Sequence, residues 1–327
     1  MMNITNQYQK FDQYMHSMQE CGEFHGSVLV AAQGEIILAK GYGLTNIELN
    51  VPNLRETVYR IGSVTKPLTA AAIMTLVQRG QLCITDCIAT YLPVLPQLGR
   101  ITVEHLLTHR SGVSNLVMLP DFPQFSLLPH TVDELIATFA HLPLNFEPGT
   151  KFEYTNSGYI LLGKVIEAIS GMNYADYVKQ YLLLPAGMEN TQLDDTYTIV
   201  PNRATGYESD PKGHLRRAAD IDMSNAHAAG GFLSTIDDLY RMDRALRYHR
   251  WFDQSLTQEM HTPYHPPYGY GWFISSAPVI FHHGGINGFT STFIRHLDQD
   301  LTVIALSNRV TPNTAALGQQ LMAMLVE

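Results

Sequence analysis

The apolar residues of this chain follow strand-like patterns near both ends and helix-like patterns in between. The segment GSVLVAAQGEIILAKGYG, residues 26–43, has two β-rich runs around Gln33, Gly34 and Glu35, which predicts a hairpin. Four more strands are predicted near the C-terminus, at residues 268–275, 278–283, 289–297 and 301–307. Because strands must pair to satisfy their backbone groups, we expect the two ends of the chain to meet in one antiparallel sheet.

Helices are predicted beside these strands and throughout the middle of the chain. They cover residues 5–20, 63–78, 103–108, 132–140, 157–169, 174–182, 234–249 and 315–325. This order predicts an α/β (α+β) fold, in which helices flank an antiparallel sheet of N- and C-terminal strands and an all-α lobe is inserted. We assign residues 1–60 and 226–327 to the sheet lobe and residues 61–225 to the mainly helical lobe, with the active site between them.

The charge balance limits the kinds of partner. A net charge of −9 and no cluster of Lys or Arg exclude a nucleic-acid binder and favour a small, neutral or weakly charged substrate. No apolar run approaches the roughly 18–20 residues that span a bilayer, so we predict no membrane span. The polar first thirty residues lack the apolar run of a signal peptide. We therefore expect a cytoplasmic protein, or a periplasmic or secreted one if a leader has been removed.

The cysteines favour neither a disulfide framework nor a metal site. There are three, Cys21, Cys83 and Cys87, and an odd number leaves at least one thiol free. Cys83 and Cys87 have helical spacing but no nearby Cys/His pair to complete a zinc site. We predict no metal and no cofactor, and the sequence is silent on the oligomeric state.

The first candidate catalytic feature is Ser63 followed three residues later by Lys66, at the start of a predicted helix. This spacing places the hydroxyl and the amine on one helical face, one turn apart. A lysine can take the proton of a serine if its own pKa is lowered by burial or by another cation. The alternative interpretation is a helix-capping serine and a solvated lysine.

Two further segments carry candidate site residues. Tyr154 and Asn156 follow a turn and immediately precede a predicted helix, where a phenol beside Lys66 could handle protons and an amide could orient lysine and substrate. The run of His282, His283, Gly284 and Gly285 ends a predicted strand, and its glycines would let a substrate approach main-chain N–H groups. Adjacent histidines on a strand point to opposite faces, so only one should face the site. The alternatives are a packed tyrosine, a capping asparagine and a plain glycine hairpin.

Together these elements resemble the serine β-lactamase and penicillin-binding protein superfamily, specifically its class C branch, which includes class C β-lactamases, D-alanyl-D-alanine peptidases and β-lactamase-type carboxylesterases. The resemblance extends to YRIGSVTKPLTAAAIMTLVQRGQL, ITVEHLLTHRSGV, EPGTKFEYTNSGYILLGKVIEAISG, AGGFLSTIDDLYRM and HHGGINGF, in the expected order. It runs from about Gly26 to the C-terminus and implies a β-lactamase/transpeptidase-like fold.

The resemblance implies a role for each candidate. Ser63 would be the nucleophile, Lys66 its proton acceptor and Tyr154 a proton relay to the leaving group. Asn156 would contact the substrate amide, and the N–H groups of Ser63 and Gly285 would form the oxyanion hole. The remaining substrate-binding residues would be His282, His283 and Gly284, at the three positions of the family's Lys/His-Thr/Ser-Gly strand motif.

Two departures from that motif bear on the substrate. His282 stands where dedicated class C β-lactamases usually carry Lys, so a cation for a substrate carboxylate is absent or depends on pH. His283 replaces the Thr or Ser hydroxyl. We therefore expect a serine hydrolase that forms an acyl-enzyme on a small ester or a D-amino-acid-containing amide or peptide. The alternatives are a β-lactamase and a penicillin-binding sensor without turnover, whereas an ordinary α/β-hydrolase is disfavoured by the lack of a Gly-x-Ser-x-Gly sequence.

Overall fold

The computed structural model describes residues 4–95, 98–264, 268–275, 278–310 and 314–326. Its strands are β1 Gly26–Ala32, β2 Glu35–Tyr42, β3 Leu44–Asn46, β4 Val51–Pro52, β5 Tyr59–Arg60, β6 Gln192–Leu193, β7 Tyr207–Ser209, β8 Leu215–Arg217, β9 Phe232–Ser234, β10 Phe273–Ile274, β11 Val279–Ile286, β12 Phe289–His296 and β13 Leu301–Ser307. Its α-helices are α1 Ile4–Glu20, α2 Thr65–Gln78, α3 Val103–Leu107, α4 Phe122–Phe125, α5 Val132–Phe139, α6 Asn156–Ser170, α7 Tyr174–Val178, α8 Leu184–Ala186, α9 His227–Gly230, α10 Ile236–Arg247, α11 Gln254–Met260 and α12 Thr314–Val326.

The two ends of the chain form one six-stranded sheet in the order β10-β11-β12-β13-β1-β2, as predicted. Strands β1 and β13 pair antiparallel with Gly26 opposite Ser307 and Ala32 opposite Leu301. The β1–β2 hairpin turns at Gln33 and Gly34, both with positive φ, which is the backbone conformation of a two-residue hairpin turn. The fold class inferred from the sequence is thus confirmed.

Both faces of this sheet are covered, which explains why strands β1 and β13 are largely apolar. Every residue of β1 and of β13 is buried. Val28 and Val30 pack in a core with α1 and α12, whereas Leu29 and Ala31 belong to a larger core shared with the helices of the inserted segment. Alternate side chains therefore join the sheet to two separate helical layers.

The inserted segment is helical as far as Ala186 and then changes character. The helix expected over 174–182 is α7 followed by a π-helical turn, Lys179–Leu183, before α8. Between residues 187 and 225, a part of the predicted helical lobe to which no helix was assigned, the short strands β6, β7 and β8 occur. Strands β7 and β8 pair with each other, whereas β6 pairs with β9 from the C-terminal part of the chain and so depends on a distant partner.

No helix within the described ranges is long and apolar enough to cross a membrane.

A buried ion pair joins α10 to the sheet. Asp243 on α10 and Arg295 on β12 form a salt bridge with both side chains 2% exposed. Thr302 donates a further hydrogen bond to the same carboxylate, at 3.1 Å. Burial alone would raise the pKa of Asp243, but Arg295 and Arg244 hold it below its ordinary value. The pair therefore compensates two charges that would otherwise be costly to bury.

We expect Asp243→Asn to lower the free energy of unfolding by about 3 kcal/mol, because it leaves Arg295 as a buried charge without its counterion. Asp237→Asn is the matched control, since it removes a carboxylate from the same helix in a pair with Arg55 whose side chains are 48% and 24% exposed. The control should cost less than about 1 kcal/mol. Urea unfolding of both variants tests this, and equal losses would contradict it.

Candidate active site

Ser63 lies in a single 3₁₀ turn, Gly62–Val64, that leads directly into α2. The residue at the helix N-cap is Val64, and no side-chain cap hydrogen bond is made there. Ser63 is therefore not a helix-capping serine. It is only partly buried, whereas its neighbours Gly62 and Val64 are fully buried. The serine hydroxyl is thus the exposed functional group of an otherwise enclosed turn.

Lys66 is fully buried and makes three polar contacts through its Nζ atom. Nζ lies 3.0 Å from Ser63 Oγ, 2.8 Å from Asn156 Oδ1 and 2.7 Å from the carbonyl oxygen of Ala229. The hydroxyl and the amine meet as their spacing predicted. The Ala229 contact was not foreseen, because a main-chain oxygen leaves no signal in a sequence.

These contacts suit a neutral amine. Burial lowers the pKa of Lys66 well below its ordinary range. Two of the three neighbours, Asn156 Oδ1 and the Ala229 carbonyl, can only accept hydrogen bonds, so they take the two N–H groups of a neutral amine. The remaining lone pair faces Ser63 Oγ. Lys66 can therefore accept the serine proton.

Tyr154 lies on the other side of Ser63 and contacts both catalytic candidates. Its hydroxyl is hydrogen-bonded to Ser63, and its ring centroid is 4.7 Å from Lys66 Nζ. Burial raises the pKa of the Tyr154 phenol, and the Ser63 hydrogen bond offsets only part of this. The phenol consequently keeps its proton at neutral pH and can donate it.

His109 holds the Tyr154 ring in place and was not singled out from the sequence. Its ring centroid is 4.3 Å from that of Tyr154, and its Nδ1 accepts the backbone N–H of Thr155 at 3.2 Å. His109 is completely buried with a φ of 56°, an unusual conformation for a non-glycine residue. Its position within THRSGV was the available signal, but sequence alone did not connect it to Tyr154.

Asn156 is the first residue of α6, and its side chain does not cap the helix. Its oxygen accepts from Lys66, as described above. Its backbone N–H donates to Asn115 Oδ1 at 3.1 Å, and its Nδ2 lies 3.5 Å from the same oxygen. Asn115, another residue that the sequence interpretation missed, thus fixes the orientation in which the Asn156 carbonyl faces Lys66.

Glycines bring β11 against the turn that carries Ser63. A Cβ at Gly284 would lie 2.2 Å from the Ile61 carbonyl oxygen, and one at Gly62, whose φ is 49°, would lie 2.9 Å from the backbone nitrogen of Gly285. Ser291 on β12 fixes the same turn by donating to the Ile61 carbonyl at 2.6 Å. Only glycine permits this approach. It places the backbone of Gly285 beside Ser63, where their N–H groups could bind an oxyanion.

The two histidines of β11 point to opposite faces. His282 is 1% exposed, with its ring centroid 6.3 Å from that of Tyr154, so it lies behind the tyrosine rather than on the pocket surface. His283 instead contacts Thr292 of β12 at 3.1 Å, away from Ser63. Of the predicted site residues, His283 is therefore the one whose side chain does not join the others.

His282 is held in its neutral form. Burial lowers its pKa well below the ordinary value. Its Nδ1 faces the His283 carbonyl oxygen at 2.7 Å and so carries the hydrogen, which leaves Nε2 to accept from the Tyr268 hydroxyl at 3.0 Å. The pH-dependent cation left open by the sequence is thus absent at neutral pH.

Ser63 opens into a pocket of about 290 Å³. Val117 and Phe122 line it from the segment 116–129, and Ile221 and Asn225 line it from the segment 196–225. Asn225 is fixed by hydrogen bonds from its Nδ2 to the carbonyl oxygens of Ser126 and Leu128. The pocket therefore combines a nucleophile with mixed polar and apolar walls, which suits a small acyl donor.

Comparison with known proteins agrees with this geometry. The Beta-lactamase family matches residues 10–323. The putative penicillin-binding protein PbpX of Bacillus subtilis is 30% identical over 97% of this chain and 78% of its own length, and penicillin-binding protein 4* of the same organism is 29% identical over 90% and 70%.

Solved structures give the same result. A penicillin-binding protein from Bacillus halodurans matches with a TM-score of 0.83 and 26% identity, over 95% of this chain and 98% of its own. The D-amino acid amidase of Ochrobactrum anthropi SV3, in complex with D-phenylalanine, matches with a TM-score of 0.80 and 25% identity, over 94% and 92%. The family match covers nearly the whole chain, so this protein belongs to the β-lactamase family of serine hydrolases and penicillin-binding proteins.

Proposed function

We propose that the protein hydrolyses its substrate through an acyl-enzyme on Ser63. The substrate is either a small ester or an amide that contains a D-amino acid. The observation that carries this proposal is the set of contacts around Lys66 Nζ, in which two carbonyl acceptors leave the amine lone pair directed at the serine hydroxyl. A serine so placed becomes nucleophilic without a histidine base.

In the first half of the reaction, Ser63 Oγ attacks the substrate carbonyl carbon while its proton passes to Lys66 Nζ. The carbonyl oxygen becomes an oxyanion, which the N–H groups of Ser63 and Gly285 bind. When the intermediate collapses, the bond to the leaving group breaks and the leaving group takes the Tyr154 hydroxyl proton. The Lys66 ammonium then returns a proton to Tyr154, which restores both groups.

In the second half, water attacks the Ser63 ester and the same groups work in reverse. Tyr154 passes a proton to the lysine as it accepts one from the water, and Lys66 reprotonates Ser63 Oγ when the acid leaves. The raised pKa of the Tyr154 phenol supports a relay in which it gains one proton as it gives up another.

The environment of His282 favours these substrates over β-lactams. A histidine that is neutral and buried behind Tyr154 supplies no positive charge for the carboxylate that β-lactams carry. The D-amino acid amidase among the structural relatives, crystallised with D-phenylalanine, supports amides of D-amino acids as one substrate class. β-Lactams would then act as slow substrates or inhibitors.

We expect Ser63→Ala to abolish turnover of short-chain nitrophenyl esters and D-amino-acid nitroanilides, because it removes the nucleophile. Circular dichroism should show an unchanged fold. Activity retained by Ser63→Ala would rule out the proposed mechanism. Intact-mass measurement of the wild-type protein after exposure to penicillin tests the sensor alternative. A sensor would form a stable adduct and turn over neither substrate.

Tyr154→Phe should lower kcat about 10²- to 10⁴-fold, since it removes the proton relay but leaves the ring against His109. Tyr177→Phe is the matched control, because it removes a hydroxyl that is hydrogen-bonded to Thr75, about three turns along α2 from its start beside Ser63. Steady-state kinetics should show little change in the control. Equal effects in the two variants would mean that Tyr154 is merely structural.

The kcat/KM should increase with pH and level off below about 10.4, the ordinary lysine value. Raising the pH through the lowered pKa of Lys66 deprotonates its ammonium and generates the base. His282→Gln should show the same increase of kcat/KM with pH, because the lowered pKa of His282 leaves the histidine neutral over the same pH range. If this increase disappears in His282→Gln, the titrating base is the histidine.

A further inference from the structure

A second pocket adjoins the Ser63 pocket and is lined by arginines. It encloses about 300 Å³ between Arg60, Arg203 and Arg217, with Phe289 and Gly206 completing its walls. Ile221 and Asn287 line both this arginine pocket and the Ser63 pocket, so the two pockets are adjacent. In a chain of net charge −9, such a concentration of guanidinium groups beside a nucleophile is unexpected.

Two of these arginines share one buried carboxylate. Arg60 Nε and Arg203 Nη2 each donate to Asp194 Oδ2 at 2.9 Å, and the Asp194 side chain is fully buried. Within the described ranges, neither guanidinium is hydrogen-bonded to any other acceptor, and their side chains remain 18% and 26% exposed. The three groups therefore carry one uncompensated positive charge, and they retain N–H groups for a ligand.

The direction of β11 shows which part of a substrate would reach this charge. His282 lies beside Tyr154, Gly285 lies beside Ser63, and Asn287, two residues further on, lines the arginine pocket. Asn287 stands in the turn just after β11, so Tyr154 and the arginine pocket lie on opposite sides of Gly285 along this segment. Because Tyr154 protonates the leaving group, the arginine pocket faces the acyl portion that stays on Ser63.

We propose that the arginine pocket binds a carboxylate on the acyl portion of the substrate, through Arg60 and Arg203. This inference rests on the proposed hydrolase function and adds a substrate class to it. A guanidinium matches a carboxylate with paired N–H donors. Arg217 and Asp220 also line the pocket and offset each other in charge, so the single excess positive charge remains and suits a monoanion. Arg60 precedes Ser63 by three residues, so their Cα atoms lie within about 11 Å of each other.

The spacing of Gly285 and Asn287 also indicates the position of the carboxylate. The two residues are two positions apart, so they are separated by at most about 7 Å. An N-succinyl group on a D-amino acid places its carboxylate at about this separation from the reacting carbonyl, six bonds away at the lengths of ordinary single bonds. The succinamoyl group has the same shape without the charge, which makes it the matched neutral ligand.

Calorimetric titration of the Ser63→Ala protein, which needs no turnover, tests the proposal. N-succinyl-D-alanine amide should bind at least about tenfold more tightly than N-succinamoyl-D-alanine amide. In the same background, Arg203→Gln should remove most of that preference and Arg203→Lys should restore part of it. Arg216→Gln, which removes an exposed guanidinium paired with Glu208 outside the pocket, should leave the preference unchanged.

Equal affinities for the two ligands would overturn the inference, as would a preference that persists in Arg203→Gln. If Arg203→Gln does not fold, the difference in affinity between the two ligands for the Ser63→Ala protein decides whether the inference holds. Failure of the hydrolase proposal is seen separately, as the absence of wild-type turnover of both the succinyl and the succinamoyl D-alanine nitroanilides.

Discussion

The amine of Lys66 is the group on which the rest of this active site depends. A lysine side chain with no exposed surface is costly to charge, and the surrounding structure supplies carbonyl oxygens rather than carboxylates. Asn156 Oδ1 and the Ala229 carbonyl can stabilise an ammonium, as hydrogen-bond acceptors, but neither carries a negative charge. The site can therefore hold a neutral amine at rest and accept a proton briefly during the proposed reaction.

Three distant parts of the chain meet at that amine, and the fold explains how. The turn before α2 brings Ser63, the start of α6 brings Asn156 and Tyr154, and α9 brings the Ala229 carbonyl. The sheet contributes by closing β11 against the turn through Gly62 and Gly284, where any side chain would collide with backbone. His109 and Asn115 add no chemistry of their own but determine where Tyr154 and Asn156 point.

The parts of this arrangement that follow from local pattern could be predicted from the sequence. The strand β13 occupies 301–307 as expected, and the spacing of Ser63 and Lys66 gave a contact of 3.0 Å. What escaped prediction depends on tertiary contacts. The Ala229 carbonyl is main chain, strand β6 pairs with the distant strand β9, and the burial of His282 behind Tyr154 results from packing with Tyr268. A sequence shows which groups are present, but not how far each side chain stays exposed to solvent.

The ionisation of Lys66 in the resting protein tests this account most directly. The chain has only seven lysines, so the ε-methylene resonances of protein labelled with ¹³C-lysine can be followed against pH, with Lys66→Arg identifying the signal of interest. The account predicts that this resonance titrates well below the ordinary lysine value of about 10.4. A Lys66 resonance that titrates at that value or above it would show a permanent ammonium and contradict the proposed role of this amine as the base.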